Sequence, residues 1–268
     1  MDIVCPVWVP GANTLFEALS GVAAQGIFDV EWMLGMPGYF DESDPGQMDA
    51  LCETLERTGV RMSSLHTPFG EQVDIGSLDP AVRARGLDVQ RAAIELARRI
   101  GSPRLVVHPG HGPGSDGIAE RLALAVRSLR ELEPLARDAG VVLALENLPP
   151  RYPGGTANQL LSVANALDSP FVGICFDSGH AHLAHDVPGM AWALLPRTVT
   201  MHLHDNDGSD DQHLLPGRGG INWVEFGRIY LETGCRAPAM LECAPPDGWT
   251  WPRCVAEARR LLGEAQCP

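Results

Sequence analysis

Eight short apolar runs recur along the chain, and each is followed by a longer segment, helical or polar, that returns the chain to the next run. The runs have the length of strands, and the central ones lack the alternation of apolar and polar residues that a half-exposed sheet shows. They occupy residues 2–5, 27–32, 60–66, 104–108, 141–146, 172–177, 198–204 and 237–242. Parallel strands covered on both faces have this near-continuous apolar character. The rhythm therefore predicts an α/β fold, a single (β/α)8 TIM barrel.

The intervening segments and the total length agree with this fold. Apolar residues such as Leu122, Val126 and Leu129 recur at steps of three and four, which predicts a helix over 118–139. A second helix is predicted over 84–100. The chain has 268 residues, close to the roughly 250 that one such barrel needs. We therefore expect residues 1–268 to form one domain.

The basic residues exclude one class of chemistry and disfavour one class of partner. All 20 are arginines, so a Schiff-base mechanism, which needs a lysine amine, is excluded. The formal net charge of −14 repels a phosphate backbone, and proteins that bind nucleic acid usually carry a basic patch. Nucleic acid is therefore a disfavoured partner.

The N-terminus and the cysteines indicate a cytoplasmic protein. The first ten residues carry an acid at position 2 and no basic region, unlike a secretory signal. No apolar run approaches the roughly 18 residues of a membrane span. The seven cysteines include no Cys-x-x-Cys pair, which favours reduced thiols over a thiolate zinc site. We expect no association with a membrane.

Polar side chains gather where the predicted strands end. The nine histidines lie at or just after the carboxyl ends of strands 3, 4, 6 and 7, and Glu146, Asp177 and Glu242 end strands 5, 6 and 8. In a barrel these ends meet at one rim. Three carboxylates at the ends of apolar strands repel one another unless a cation or a proton lies between them. The pattern predicts a metal site at the rim.

The donor types narrow the choice of cofactor. Carboxylates combined with imidazoles suit transition metals better than Ca²⁺, which prefers oxygen ligands alone. We predict a divalent metal (Mn²⁺, Co²⁺, Zn²⁺, Mg²⁺ or Fe²⁺) and no nucleotide cofactor. The polar, glycine-rich segment 205–221 is a long loop of the kind that is often functional, and it adds Asp211 and His213. His180 follows Asp177 by three residues.

Six sequence pieces, in order along the chain, resemble the xylose-isomerase-like superfamily of TIM barrels. That superfamily holds sugar and sugar-phosphate isomerases and epimerases, inosose dehydratases and type IV apurinic endonucleases. The resemblance implies that Glu146, Asp177, Glu242 and one histidine of strand 7 hold a shared metal. His202 and His204 are both candidates, since residues two apart on a strand face the same way. The pieces are LHTPFG, VVHPG, LALENLP, CFDSGH, MHLHDNDGSDDQHLLPGRGGINW and MLE.

The function that the resemblance favours is isomerisation or epimerisation of a small sugar, sugar phosphate or polyol through a metal-stabilised enediolate. Glu146 and Glu242 then take and return the proton. Arg218 is a candidate ligand of a substrate phosphate or carboxylate. Trp32 and Phe69 are candidates for the floor of the sugar pocket. The resemblance also allows a homodimer.

The resemblance leaves a second function open. Type IV apurinic endonucleases have additional metal ligands, and this chain has matching residues in His66, His108, His180, Asp211 and His213. These residues would make it a trinuclear phosphodiester hydrolase. The loop sequence DQHLLPGRG is closer to the isomerase-like members, in which His180 and His213 would orient substrate hydroxyls. A barrel that only binds a ligand is disfavoured by the intact carboxylates. The number of metal ions, one or three, separates the two enzymes.

Overall fold

The eight predicted runs form the strands of one closed parallel barrel in the computed structural model, which describes residues 1–36, 38–41, 44–112, 114 and 117–263. The strands follow one another around the barrel in chain order, and β8 closes it against β1. They are β1 (Ile3–Pro6), β2 (Asp29–Met33), β3 (Arg61–His66), β4 (Arg104–Val107), β5 (Val142–Glu146), β6 (Val172–Asp177), β7 (Thr198–Leu203) and β8 (Ala239–Leu241). The predicted fold class is confirmed.

Helices follow the strands and surround the barrel. The predicted helix over 118–139 is confirmed, whereas the helix predicted over 84–100 begins earlier, at Pro80. The side chain of Asp79 caps that helix and proline is well suited to a first turn. The helices are α1 (Leu15–Ala24), α2 (Pro45–Thr58), α3 (Pro80–Ile100), α4 (Ile118–Ala139), α5 (Ala157–Leu167), α6 (Ser178–Leu183), α7 (Val187–Leu194), α8 (Trp223–Glu232) and α9 (Trp251–Leu261), with a 3-10 turn at Leu195–Arg197.

The strand residues that face the barrel interior lead directly to the rim. Val106, Ala144 and Cys175 pack together in a small cluster of their own, separate from the large core between strands and helices. Side chains alternate along a strand, so the residues two positions further on project to the same side. Two of these are Glu146 and Asp177. The barrel interior therefore changes from small, mostly apolar side chains to charged ones as it approaches the rim.

Two irregularities in strand pairing decide which side chains meet. Between β2 and β3 the register shifts after Val30, so that Glu31 pairs with Ser64. Between β6 and β7 it shifts after Ile174, and Asp177 pairs with His202. A shift of one residue exchanges the two faces of a strand. Both shifts therefore bring polar side chains of neighbouring strands together on the inner face.

The cysteines bear on the presence of disulfides, and the helices on the presence of membrane spans. None of the six cysteines within the described residues forms a disulfide, and five of them are buried, while Cys267 lies outside the described residues. In the described parts of the chain, no helix has both the length and the apolar character needed to cross a lipid bilayer.

Candidate metal centre

A histidine ring surrounded by three carboxylates lies at the middle of the rim. Nδ1 of His202 is 3.2 Å from Oε2 of Glu242, 3.5 Å from Oε1 of Glu146 and 3.9 Å from Oδ2 of Asp177. All but Glu242 are buried, and the side chain of Glu242 is 15% exposed. One potential ligand atom from each residue lies within 4.8 Å of the others. We call these four residues the central quartet.

His204 lies beside this quartet rather than within it. Its Nε2 is 3.1 Å from Oδ2 of Asp177 and 3.9 Å from Oε2 of Glu242. Its ring stacks on that of His213, with centroids 4.1 Å apart. Of the two histidines on β7 and its carboxyl end, His202 is therefore the one with a ring nitrogen near all three carboxylates.

The second carboxylate oxygen of Glu146 faces another pair of histidines. Oε2 of Glu146 is 3.2 Å from Nε2 of His66 and 3.1 Å from Nε2 of His108. Glu146 thus contributes one oxygen to the central quartet and the other to what we call the inner pair, His66 and His108.

A third group lies on the loop over 205–221 and the helix beside it. Oδ2 of Asp211 is 3.2 Å from Nε2 of His180 and 3.3 Å from Nε2 of His213. We call Asp211, His180 and His213 the outer group. Every histidine and carboxylate predicted from the sequence to contribute to the site is brought to the rim.

The loop that carries Asp211 and His213 is held by the buried carboxylate of Asp205. Its oxygens accept hydrogen bonds from the backbone N–H groups of Gly217 (2.9 Å) and Ile221 (3.1 Å) and from the indole N–H of Trp223 (2.8 Å). Backbone hydrogen bonds between Asp205 and Leu214 close the loop further. The segment predicted as a functional loop is therefore ordered around an internal anchor.

Backbone carbonyls fix the orientation of three of the histidine rings. Nδ1 of His66, of His180 and of His213 lies 2.8–2.9 Å from the carbonyl oxygens of Thr67, Asn147 and Glu242, respectively. A carbonyl oxygen only accepts, so Nδ1 carries the proton in each ring. Nε2, on the other side of each ring, is then directed toward the carboxylates and is available to a cation held between them. Histidine ligands of metals are commonly oriented in this way.

Unsatisfied buried atoms are concentrated at this site. A buried polar atom without a partner costs about 1–3 kcal/mol, and coordination to a cation removes that cost. Among the described residues these atoms are Nδ1 and Nε2 of His202, Nδ1 of His204, Oδ1 of Asp211, Oε2 of Glu242 and, away from the rim on α3, Oε1 of Gln90. The mixed oxygen and nitrogen donors fit a divalent transition metal.

Without a cation, the carboxylates hold protons on the histidines. Burial alone would lower the pKa of His202, but the surrounding carboxylates raise it well above its usual value. Burial also opposes protonation of His180, yet Asp177 and Asp211 raise its pKa to about 10. The pKa of His213 is raised to about 9, chiefly by its hydrogen bond to Asp211, against the effect of burial. At neutral pH these rings are charged in the metal-free protein.

We expect metal binding to release protons and to strengthen as the pH rises. Because the pKa values of these histidines are raised, a metal ion that binds below about pH 9 must displace protons from their rings. Its apparent affinity therefore increases about tenfold per pH unit for each proton displaced. An ion in the central quartet displaces about one proton, and a further ion in the outer group about two more. Titration calorimetry with Mn²⁺ at pH 7, in buffers of different ionisation enthalpy, measures this release. His185→Asn, outside all three groups, is the control, and release of no protons would contradict the prediction.

The three predicted substrate contacts are placed differently. A cavity of about 160 Å³ opens above the centre, and Phe69 lines it with its ring stacked 4.6 Å from that of His108. Trp32 is buried, packs edge-on against Phe40 and lines a different cavity. Arg218 is exposed, with its guanidinium 5.0 Å from the ring centroid of Trp249. Of the three, the structure brings only Phe69 to the cavity above the centre.

Two polar residues at the centre were not among the predicted site residues. Glu31 is buried next to His202, and its charge within an apolar run carries the same desolvation signal that singled out the other carboxylates. Asn147 supports the end of β6, since its amide donates to the carbonyl of Asp177 (2.9 Å) and accepts from the N–H of Asp177 (2.8 Å). No charge marks Asn147 in the sequence.

Sequence comparisons connect this chain with both enzyme classes. The model of a family described as xylose isomerase-like TIM barrel matches residues 21–264. An uncharacterized protein of Methanocaldococcus jannaschii is 34% identical over 197 residues, which cover 71% of this chain and 67% of that protein. A probable endonuclease 4 of Solibacter usitatus is 30% identical over 226 residues (76% and 77%). An L-ribulose-5-phosphate 3-epimerase of Salmonella paratyphi B is 26% identical over 196 residues (72% and 68%).

Two solved structures resemble the chain over nearly its whole length. A D-tagatose 3-epimerase-like protein superposes with a TM-score of 0.83 at 28% identity and covers 98% of this chain and 96% of its own. A protein of Thermus thermophilus, studied after soaking with zinc chloride, has a TM-score of 0.75 at 28% identity and covers 100% of both chains. Among the relatives described above, the names that give an activity are those of sugar epimerases and of a probable endonuclease.

Proposed function

The chain belongs to the xylose isomerase-like TIM barrel family, and on that premise we propose that it is a divalent-metal-dependent isomerase or epimerase of a small sugar, sugar phosphate or polyol. The observation that carries the proposal is the placement of Glu146 and Glu242. Both approach Nδ1 of His202, to 3.5 and 3.2 Å, and both line the cavity of about 160 Å³. That cavity is smaller than the roughly 300–1,000 Å³ of drug-sized sites, which favours a small polar substrate.

Each residue has a role in such a reaction. A divalent ion held by the central quartet would act as a Lewis acid for negative charge that develops on neighbouring carbonyl and hydroxyl oxygens of the substrate. One of the two glutamates removes the proton from the carbon beside the carbonyl, and the other returns a proton to the opposite face. The chain contains no lysine, so carboxylates and histidines are the available proton carriers. Phe69 lines one side of the cavity and offers an apolar surface to the substrate.

Relatives and charge support this assignment. The names of the D-tagatose 3-epimerase-like protein and of the L-ribulose-5-phosphate 3-epimerase both refer to sugar epimerases. The net charge of −14 disfavours a polyanionic substrate such as a nucleic acid.

A specific observation favours a second function, that of a trinuclear phosphodiester hydrolase. Oε2 of Glu146 and Oδ2 of Asp211 each lie between Nε2 atoms of two histidines, so that the inner pair and the outer group offer two positions for ions beyond the central quartet. In this alternative the two oxygens of Glu146 would serve different positions, one in the central quartet and one at the inner pair, and the ions would supply positive charge for cleavage of a phosphodiester. The probable endonuclease 4 of Solibacter usitatus is the relative that fits this candidate.

Two measurements distinguish these functions: the number of metal ions bound per chain, and the exchange of substrate protons with the solvent. We expect protein purified without added metal to hold about one divalent ion per chain. With Mn²⁺ or Co²⁺ in D2O, we expect it to incorporate deuterium into a ketose or ketose phosphate at the carbon beside the carbonyl. Elemental analysis and NMR of a sugar panel measure both, with Glu242→Gln as the inactive control. About three ions per chain, together with cleavage of an abasic-site duplex and no exchange in any sugar, would establish the hydrolase instead.

A further inference from the structure

We infer that Glu31 is a positioning residue that holds the Nε2 side of His202, so that Nδ1 faces the three carboxylates of the central quartet. Nothing in the sequence resemblance assigns Glu31 a role. The inference rests on the metal dependence in the proposed function and extends it to a residue outside the predicted ligand set.

The contacts of Glu31 are confined to the barrel interior. The side chain is buried, and Oε1 lies 3.0 Å from Nε2 of His202. The hydroxyl of Ser64 donates to the other oxygen, Oε2, at 2.5 Å. The register shift between β2 and β3 makes this contact, because it places Ser64 directly opposite Glu31. A buried carboxylate is costly unless it is paired, and the described contacts leave His202 as its partner.

His202 differs from the other histidines of the centre in what orients it. His66, His180 and His213 each use a backbone carbonyl at Nδ1 and present Nε2 to a carboxylate. His202 is oriented the other way round, and neither of its ring nitrogens has a hydrogen bond of good geometry among the described residues. Around Nδ1 lie the three carboxylates of the quartet, and beside Nε2 lies Glu31.

This arrangement assigns one nitrogen of His202 to the metal and the other to Glu31. When a ligating histidine donates its second N–H to a carboxylate, the ring is fixed and becomes a stronger ligand. Glu31 occupies that position, and no carboxylate is placed equivalently at Nδ1 of His204, which has no partner among the described residues. Glu31 therefore also explains why His202, rather than His204, joins the quartet.

Replacing Glu31 with Gln tests this role while the size of the side chain is kept. We expect Glu31→Gln to weaken Mn²⁺ binding by about 10–100-fold, the range typical of such supporting residues, with one ion still bound in the quartet. Titration calorimetry measures the affinity. Asp29→Asn is the matched control, because Asp29 lies on the same strand but pairs with Arg61 at the surface, and we expect its affinity to equal that of the wild type.

A second readout separates positioning from general damage. In the Co²⁺-loaded wild type, the N–H at Nε2 of His202 should give a paramagnetically shifted proton signal that exchanges slowly with solvent. We expect faster exchange in Glu31→Gln. Ser64→Ala removes only the hydroxyl that donates to Glu31, and we expect it to weaken Mn²⁺ binding by a few fold. This variant replaces Glu31→Gln in the test if Glu31→Gln does not fold. A wild type that binds no divalent ion would overturn the proposed function, whereas unchanged affinity in the folded variants would overturn only the role of Glu31.

Discussion

Glu146→Gln is expected to reduce turnover by about 10³-fold or more while the barrel stays folded. The carboxylate of Glu146 serves two sets of partners, since Oε1 faces the central quartet and Oε2 lies between the two histidines of the inner pair. An amide has one acceptor oxygen and an NH2 group that binds neither a cation nor a proton. Loss of a general acid–base group alone costs about 10²–10⁴-fold, and loss of a metal ligand adds to it. Steady-state kinetics on the substrate found in the sugar panel measures the effect.

Glu131→Gln is the matched control for this variant. Glu131 is an exposed residue of α4 whose carboxylate pairs with Arg91 at the surface. We expect it to keep wild-type activity, since exposed ion pairs contribute little. Circular dichroism and the unfolding midpoint verify that both variants are folded. Full activity in Glu146→Gln would show that the rim site is wrongly assigned.

Metal loading is expected to raise the unfolding temperature by about 8–16 °C. At a free ion concentration 1,000 times Kd, binding to the folded state adds about 4 kcal/mol to the free energy of unfolding. For a domain of roughly this size each kcal/mol shifts the midpoint by about 2–4 °C. The physical source of this gain is the buried set of carboxylates and unsatisfied atoms, whose repulsion and desolvation the cation relieves. Differential scanning calorimetry with and without Mn²⁺ or a chelator measures the shift.

Asp177→Asn provides the internal control for this measurement. Oδ1 of Asp177 accepts from the N–H of His180 at 2.6 Å and caps the short helix α6. Asparagine is as good a cap as aspartate, so the variant keeps this local structure and loses only the charge. We expect the metal-dependent shift to fall to a small fraction of its wild-type value. An equal shift in the variant, or no shift in the wild type with any of Mn²⁺, Co²⁺, Zn²⁺, Mg²⁺ and Fe²⁺, would contradict the prediction.

The sequence predicted which residues lie at the rim because each of them is marked by its position in the local sequence. A carboxylate or histidine that ends an apolar run is visible in the chain, and barrel topology then brings such ends together. Residues 141–146 illustrate this, because the run predicts both the strand β5 and the position of Glu146 at its end.

The sequence did not predict which side chains meet across the barrel. Strand register and the paths of the loops are set by contacts between residues that are far apart in the chain. Trp32 and Glu31 are neighbours on β2, and alternation alone does not say which one faces the site. The structure turns Glu31 inward and packs Trp32 against Phe40. Similarly, the guanidinium of Arg218 lies over the ring of Trp249, and these two residues belong to different loops of the rim. No local sequence pattern indicates this contact.

The anchor at Asp205 holds the path of the adjoining loop with little help from the side chains of its exposed residues. The carboxylate of Asp205 accepts hydrogen bonds mainly from backbone N–H groups of the loop. Every residue except proline has such a group. The choice of residue is restricted at Gly217 and Gly219, because Gly217 has a φ of +85° and a Cβ atom at Gly219 would lie 2.4 Å from Oδ1 of Asp205. At exposed positions between these fixed points, such as Ser209 and Asp210, directed evolution can introduce new side chains beside the outer group while the backbone contacts of Asp205 are kept.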